Sequence, residues 1–143
     1  MNRVILAGVA IVLLRDCGVV SPRPTAGKVS GTWGGDNAAL IADDTSAHAH
    51  IGCTYGNVHQ QIVADASGKF DVPGEHDITA YPVDRGIQHP ARYAGTILGQ
   101  TLTLTVTLTD TAVTLGPVQL TLGKEPRMGP CPICRGKRVR TNL

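Results

Sequence analysis

His48 and His50 stand two positions apart, and His59 follows further along the chain. Neutral imidazole is the commonest side-chain ligand for transition metals. On a β-strand an i, i+2 pair leaves the same face, a spacing at which two imidazoles can share one ion. Whether His59 joins them depends on the intervening hairpin. A turn at Thr54-Tyr55 sets His59 opposite His50, whereas a turn at Gly56-Asn57, favoured by the Gly-X preference of two-residue loops, sets it beside Thr54. Ala47, Ala49, Ile51 and Cys53 alternate with the histidines and are the natural core residues, which turns both imidazoles toward water. A solvated face carrying unrelated histidines is the plainer account of the pattern. Asp43, Asp44 and Asp65 lie near in sequence, but none is obviously placed as a fourth ligand.

The second set of chemically capable residues is Cys17, Cys53, Cys131 and Cys134. In an oxidising compartment these are disulfide candidates. With Cys17 removed or modified, three remain, and the most useful bond joins Cys53 to the C-terminal segment, at Cys131 or at Cys134. Cys131 to Cys134 also spell C-x-x-C, the spacing of a redox pair or of half a zinc site. Neither the strand-to-helix setting of a redox pair nor a second pair of zinc ligands accompanies it. No nucleophile elbow, paired-carboxylate motif or phosphate-binding glycine loop is present, so an enzyme is the less favoured reading and no cofactor is indicated. Arg92 and Tyr93 point to opposite faces of one strand, and Arg92 is a candidate to cap a barrel end beside Trp33 through cation–π contact.

These residues are positioned by short β-segments. From Ser30 onward apolar and polar residues alternate in runs broken by turn residues, without a sustained helical period. The clearest run is 101–109, where Leu102, Leu104, Val106 and Leu108 share one face and threonines the other. Further strands are expected over 32–34, 38–42, 47–53, 58–64, 69–72, 77–83 and 92–98, with a last one ending at Leu122. Gly99-Gln100 should close a hairpin, and Gly116-Pro117 should bulge or break the final strand. About eight short strands with tight turns predict an all-β, antiparallel up-and-down meander, closed or nearly closed into a small barrel. Such a barrel is either filled by side chains or holds one small ligand.

The segments outside the barrel speak to compartment. Met1-Asn2-Arg3 precedes an apolar run over 4–14, which reads as a signal peptide too short to span a bilayer. The expected organisation is therefore a signal peptide over 1–16, a flexible spacer over 17–29, the barrel over 30–123 and a cysteine-containing segment with a basic tail over 124–143. Four cations, Arg135, Lys137, Arg138 and Arg140, sit in the last nine residues, so the net charge of +2 belongs to the tail and the rest is slightly acidic. A short basic end reads most simply as solvated. The aromatics are only Trp33, Tyr55, Phe70, Tyr81 and Tyr93, too few for a base-stacking platform, so no nucleic-acid partner is expected.

Three resemblances follow from these residues. Cys17 at the end of the apolar run resembles the bacterial lipoprotein signal, in which that cysteine is lipidated; Arg15 and Asp16 depart from the small residues that signal carries. Gly31-Thr32-Trp33 resembles the opening Gly-x-Trp of lipocalin and streptavidin-like barrels. More extensively, Gly31 to Gly35, Cys53 with Gly56, Pro90 to Gly95, Thr103 to Val106, and Cys131 resemble a group of small bacterial exported proteins and lipoproteins. That last resemblance covers 31–131 and implies the fold, the export and a Cys53–Cys131 disulfide. It adds no mechanism, and Cys134 and the basic tail fall outside it.

Two functions follow as expectations. The first is a non-enzymatic binding module at the cell envelope, periplasmic, secreted or lipid-anchored to the membrane through Cys17. It would hold a small apolar ligand or an envelope protein, an enzyme inhibitor being one version. The alternative is a metal-binding protein or metal-dependent enzyme using His48, His50 and His59.

Overall fold

The period-two alternation resolves into strands that close on themselves. A computed structural model describes residues 20–79 and 86–131; the signal segment, Cys17, Cys134 and the basic tail lie outside the described residues. The described strands are β1 (Gly27–Lys28), β2 (Gly31–Gly34), β3 (Ala38–Ala42), β4 (Ala47–Ile51), β5 (Thr54–Val58), β6 (Val63–Ala64), β7 (Lys69–Asp77), β8 (His89–Leu98), β9 (Thr101–Leu108) and β10 (Thr114–Leu122). Eight of them form a closed antiparallel barrel in the order β2-β3-β4-β5-β7-β8-β9-β10, with β10 returning to β2 through Thr121–Gly34 and Leu122–Trp33. Closure gives every strand of the main sheet a neighbour on both sides. The all-β meander expected from the sequence is the observed architecture.

The interior is filled. Leu102, Leu104, Val106 and Leu108 of β9 are fully buried, and Tyr93, Leu40, Val58 and Leu120 meet them from the other walls. Large side chains fit because small ones face them. Gly95 lies against the Phe70 ring, and Gly56 and Gly74 lie against Tyr93, so that a Cβ at any of the three would strike the ring or hydroxyl opposite. Trp33, Leu40, Ala49, Gly56 and His76 are cross-strand neighbours on consecutive strands, forming one inward-facing row.

Several sequence expectations are corrected. The β4–β5 hairpin turns at Gly52-Cys53, since Ile51 pairs with Thr54, and Gly52 supplies the positive φ of 60° that such a turn requires. Neither Thr54-Tyr55 nor Gly56-Asn57 is the turn; both lie within β5. The Gly-X rule held, but it applied to a different glycine, because Gly56 is needed inside against Tyr93. The strand expected over 69–72 is longer, since β7 runs unbroken through Pro73-Gly74 to Asp77; of the strand expected over 77–83, Ile78 and Thr79 are not in a strand and 80–83 lie outside the described residues. Proline is tolerated there because β5 pairs with β7 only at Glu75, His76 and Asp77, leaving Pro73 bonded to β8 alone. The Gly99-Gln100 hairpin and the break between Leu115 and Val118 are observed as expected.

The described part of the expected flexible spacer is not free. The Thr25 amide donates to the Ile97 carbonyl (3.0 Å), the Gly99 amide to Arg23 O (2.9 Å) and the Val29 amide to Ile62 O (2.9 Å). β1 pairs with β6 as a small second sheet, and Val29 is buried. Prolines and glycine at this point mark an extended strap laid along the barrel, a reading that composition alone does not separate from a tether.

Candidate functional site

The polar residues concentrate where β4, β5 and β7 meet, in two layers on opposite sides of the sheet. The outer layer holds the histidine pair. The observed register sets His48 opposite Asn57 and His50 opposite Tyr55. His48 Nδ1–H donates to Asn57 Oδ1 at 2.7 Å, since the amide oxygen can only accept. That fixes the His48 tautomer and leaves its Nε2 facing His50 Nε2 at 2.9 Å. One proton lies between the two nitrogens. The rings stand edge-on with centroids 4.7 Å apart, and the Tyr55 ring lies 5.9 and 6.0 Å from them. Both imidazoles are half-buried, and desolvation together with the neighbouring His48 holds His50 below its ordinary pKa.

The inner layer centres on His76, which is completely buried. Its Nδ1 is 2.8 Å from Tyr93 Oη and its Nε2 is 2.8 Å from Thr54 Oγ1. Those hydroxyls also lie within donating distance of backbone carbonyls, Tyr93 to Glu75 O (2.8 Å) and Thr54 to Ile51 O (2.7 Å). Two hydroxyl protons and one neutral imidazole proton cannot serve all four contacts; full satisfaction would require an imidazolium. Burial decides against that charge and lowers the His76 pKa to about 4, with Asp77 opposing and His50 and His48 reinforcing the shift. One hydroxyl therefore turns from its carbonyl to donate to His76. Burial, with Glu75 adding to it, moves the Tyr93 phenol well above its ordinary pKa, so it stays protonated. Asp77, next along β7 and paired with Tyr55 of the outer layer, is also completely buried. Its Oδ1 accepts from the Thr79 amide (2.7 Å) and hydroxyl (2.8 Å), while its Oδ2 is buried without a hydrogen-bond partner.

The fold brings His48 and His50 together and leaves His59 out. His59 lies beyond β5, where its Nε2–H donates to Glu75 Oε1 at 2.9 Å on an exposed surface. The three-histidine ligand set is thus not assembled, and among the described residues no group of three or more histidine, cysteine or acidic side chains is placed to hold a metal. Asp43 and Asp65 are turn residues. Asp43 Oδ1 accepts from the amides of Thr45 and Ser46, and Asp65 Oδ1 from those of Ser67 and Lys69. Asp44 accepts from Lys28 and Gln61. His76 was missed because a single histidine beside Asp77 carries no spacing signal; the two-residue alternation from Val72 through Gly74 was the available clue to its inward direction.

Trp33 and Arg92 are also separated. Trp33 is buried against the barrel interior and donates Nε1–H to Ser30 O at 3.2 Å. Arg92 leaves the outer face, where Nε donates to Asp71 Oδ1 (2.9 Å) and a terminal nitrogen to Asp71 O (3.0 Å). The expected cation–π cap is not formed, because Tyr93 takes the inward position and alternation sends Arg92 outward.

Cys53, at the tip of the β4–β5 hairpin, bonds Cys131. The C-terminal segment reaches it by running beside the β2–β3 turn. The Asn37 amide donates to Arg127 O (2.9 Å), the Arg127 amide to Gly35 O (3.0 Å) and the Gly129 amide to Asn37 Oδ1 (2.6 Å), and Arg127 pairs with Asp36. Between hairpin and segment lies a groove of about 320 Å³ lined by His50, Gly52, Cys53, Tyr55, Met128 and Gly129. Comparison with family models, with curated proteins and with solved structures gave no match to this chain.

Proposed function

We propose that the protein is an exported, non-enzymatic binding module that engages another protein of the cell envelope through its outer surface. The observation that carries this reading is the filled interior. Tyr93, Phe70 and the β9 leucines occupy the volume that a ligand-holding barrel keeps open, with Gly56, Gly74 and Gly95 shaped to them. Of the two occupants considered, an apolar small molecule and a protein, the second needs no cavity. The Cys53–Cys131 disulfide is compatible with export. It also holds the walls of the groove beside His50 and Tyr55, giving a partner a rigid, largely apolar contact whose thioether, Met128, is exposed. Enzyme inhibition is one form such contact takes.

Native mass spectrometry of protein taken from the envelope fraction tests this reading and reports any acyl chain on Cys17 in the same spectrum. The expected result is a stoichiometric protein complex that Met128→Asp dissociates while the free chain stays folded. Recovery of the chain with a bound lipid-like molecule and no protein would overturn it.

A further inference from the structure

We propose that His48 and His50 form an open two-ligand site for a divalent transition metal that prefers a square plane, copper(II) foremost and nickel(II) next. Three features of the outer layer support it. The first is distance. Metal–imidazole bonds are about 2.0 to 2.1 Å long, so two nitrogens sharing an ion at a right angle stand about 2.9 Å apart, the separation these two already have as a hydrogen-bonded pair. Cis nitrogens at a right angle are the edge of a square-planar site, the geometry of copper(II) and nickel(II) and not of zinc.

The second is orientation. Asn57 Oδ1 accepts from His48 Nδ1–H, the outer hydrogen bond that leaves a ligating histidine's Nε2 unprotonated; that lone pair accepts from His50 until an ion displaces the shared proton. His50 requires one adjustment. In the metal-free state its Nε2–H donates to His48, so ligation moves that proton to Nδ1 by exchange with water. Both rings stay neutral and no net proton is released.

The third is access. His50 lines the groove beside the disulfide and both imidazoles are half-buried, so the pair can be reached from outside the barrel wall. The other imidazoles nearby are engaged elsewhere, His59 with Glu75 and His76 with Tyr93 and Thr54. Among the described residues the site therefore has two protein ligands, and binding should be correspondingly modest and exchangeable.

Calorimetric titration of the full, disulfide-bonded chain with copper(II) at neutral pH in a non-coordinating buffer tests the site, followed by electron paramagnetic resonance. One equivalent should bind, with an axial spectrum showing coupling to two imidazole nitrogens. His48→Gln and His50→Gln, whose folding is checked by circular dichroism, should each weaken binding by at least about tenfold, and Asn57→Ala by about tenfold through loss of the outer hydrogen bond. His59→Gln should leave binding unchanged. Unaltered affinity in both His48→Gln and His50→Gln, a single-nitrogen spectrum, or equal loss in His59→Gln would overturn the proposal. Should either glutamine variant misfold, soaking copper into crystals of the native chain and locating it by anomalous scattering gives the same decision: density between the two Nε2 atoms supports the site, and density elsewhere ends it.

Discussion

The barrel has two unlike halves. β7 to β10 are eight to ten residues long and pair in long registers, with large side chains such as Phe70, Tyr93, Ile97 and the β9 leucines inside. β2 to β5 are four or five residues long, and their inward positions are mostly alanine and glycine around Trp33 and Leu40. The long half stabilises itself by apolar burial and ladder length. The short half buries less apolar side chain, carries the paired histidines, and is tied by the disulfide and by the C-terminal segment. The groove sits where the wall is thin and cross-linked, the network of His76, Tyr93 and Thr54 bridges the two halves, and the thick wall serves as the rigid support. Placement of adaptable sites on a stiff scaffold is a general economy of folds.

Removal of the cross-link should produce the largest effect. The bond closes a loop of 78 residues, and chain entropy for that length predicts that Cys53→Ser lowers stability by about 4 kcal/mol, measured by urea unfolding. Hydrogen exchange on the reduced chain should then show β3 to β5 amides losing protection while β8 and β9 retain theirs. Equal loss in both halves would remove the distinction between them. Next comes the packing of the long half: Leu104→Ala should cost about 3 kcal/mol, because the site is fully buried and walled by a closed sheet that cannot collapse into the void.

The third effect is pH dependence at the seam between halves. The His76 pKa falls from 6.5 to about 4 on folding, so between those values the unfolded chain binds more protons and stability rises with pH. The contribution is fully present above about pH 6.5 and is lost as pH falls toward 4, a change on the order of 2 to 3 kcal/mol. His76→Asn should flatten that part of the stability–pH curve; an unchanged curve would place the titration elsewhere. The smallest effect is expected on the outer face of the long half, where Thr103→Val should change stability by less than about 0.5 kcal/mol in the same unfolding assay.

How far the sequence could be read differs between the halves for a physical reason. In β9, strict alternation of Leu102, Leu104, Val106 and Leu108 with threonine leaves one register compatible with burial, so strand and facing were legible residue by residue. In 47–58, the alternation of alanine with histidine showed which face is which, but two glycines, Gly52 and Gly56, each satisfy a turn rule locally. Only the packing of Gly56 against Tyr93 decides which of them turns the chain. The displaced turn carried the site with it, setting Asn57 beside His48 and sending His59 to Glu75. Pro73-Gly74 misled in the same way, because whether a proline interrupts a strand depends on which neighbour is absent.

The sequence by itself determined the all-β class, the antiparallel order, the paired outward direction of His48 and His50, and the presence of cysteines able to join the hairpin to the C-terminal segment. These depend on period two and on composition, which are local. Tertiary structure alone decided that the barrel is filled, that the strap over 23–29 lies on its wall, that His76 enters the interior and Arg92 does not, and that two imidazole nitrogens meet at 2.9 Å. Each of those depends on the register between strands distant in sequence, where a shift of one residue exchanges the two faces.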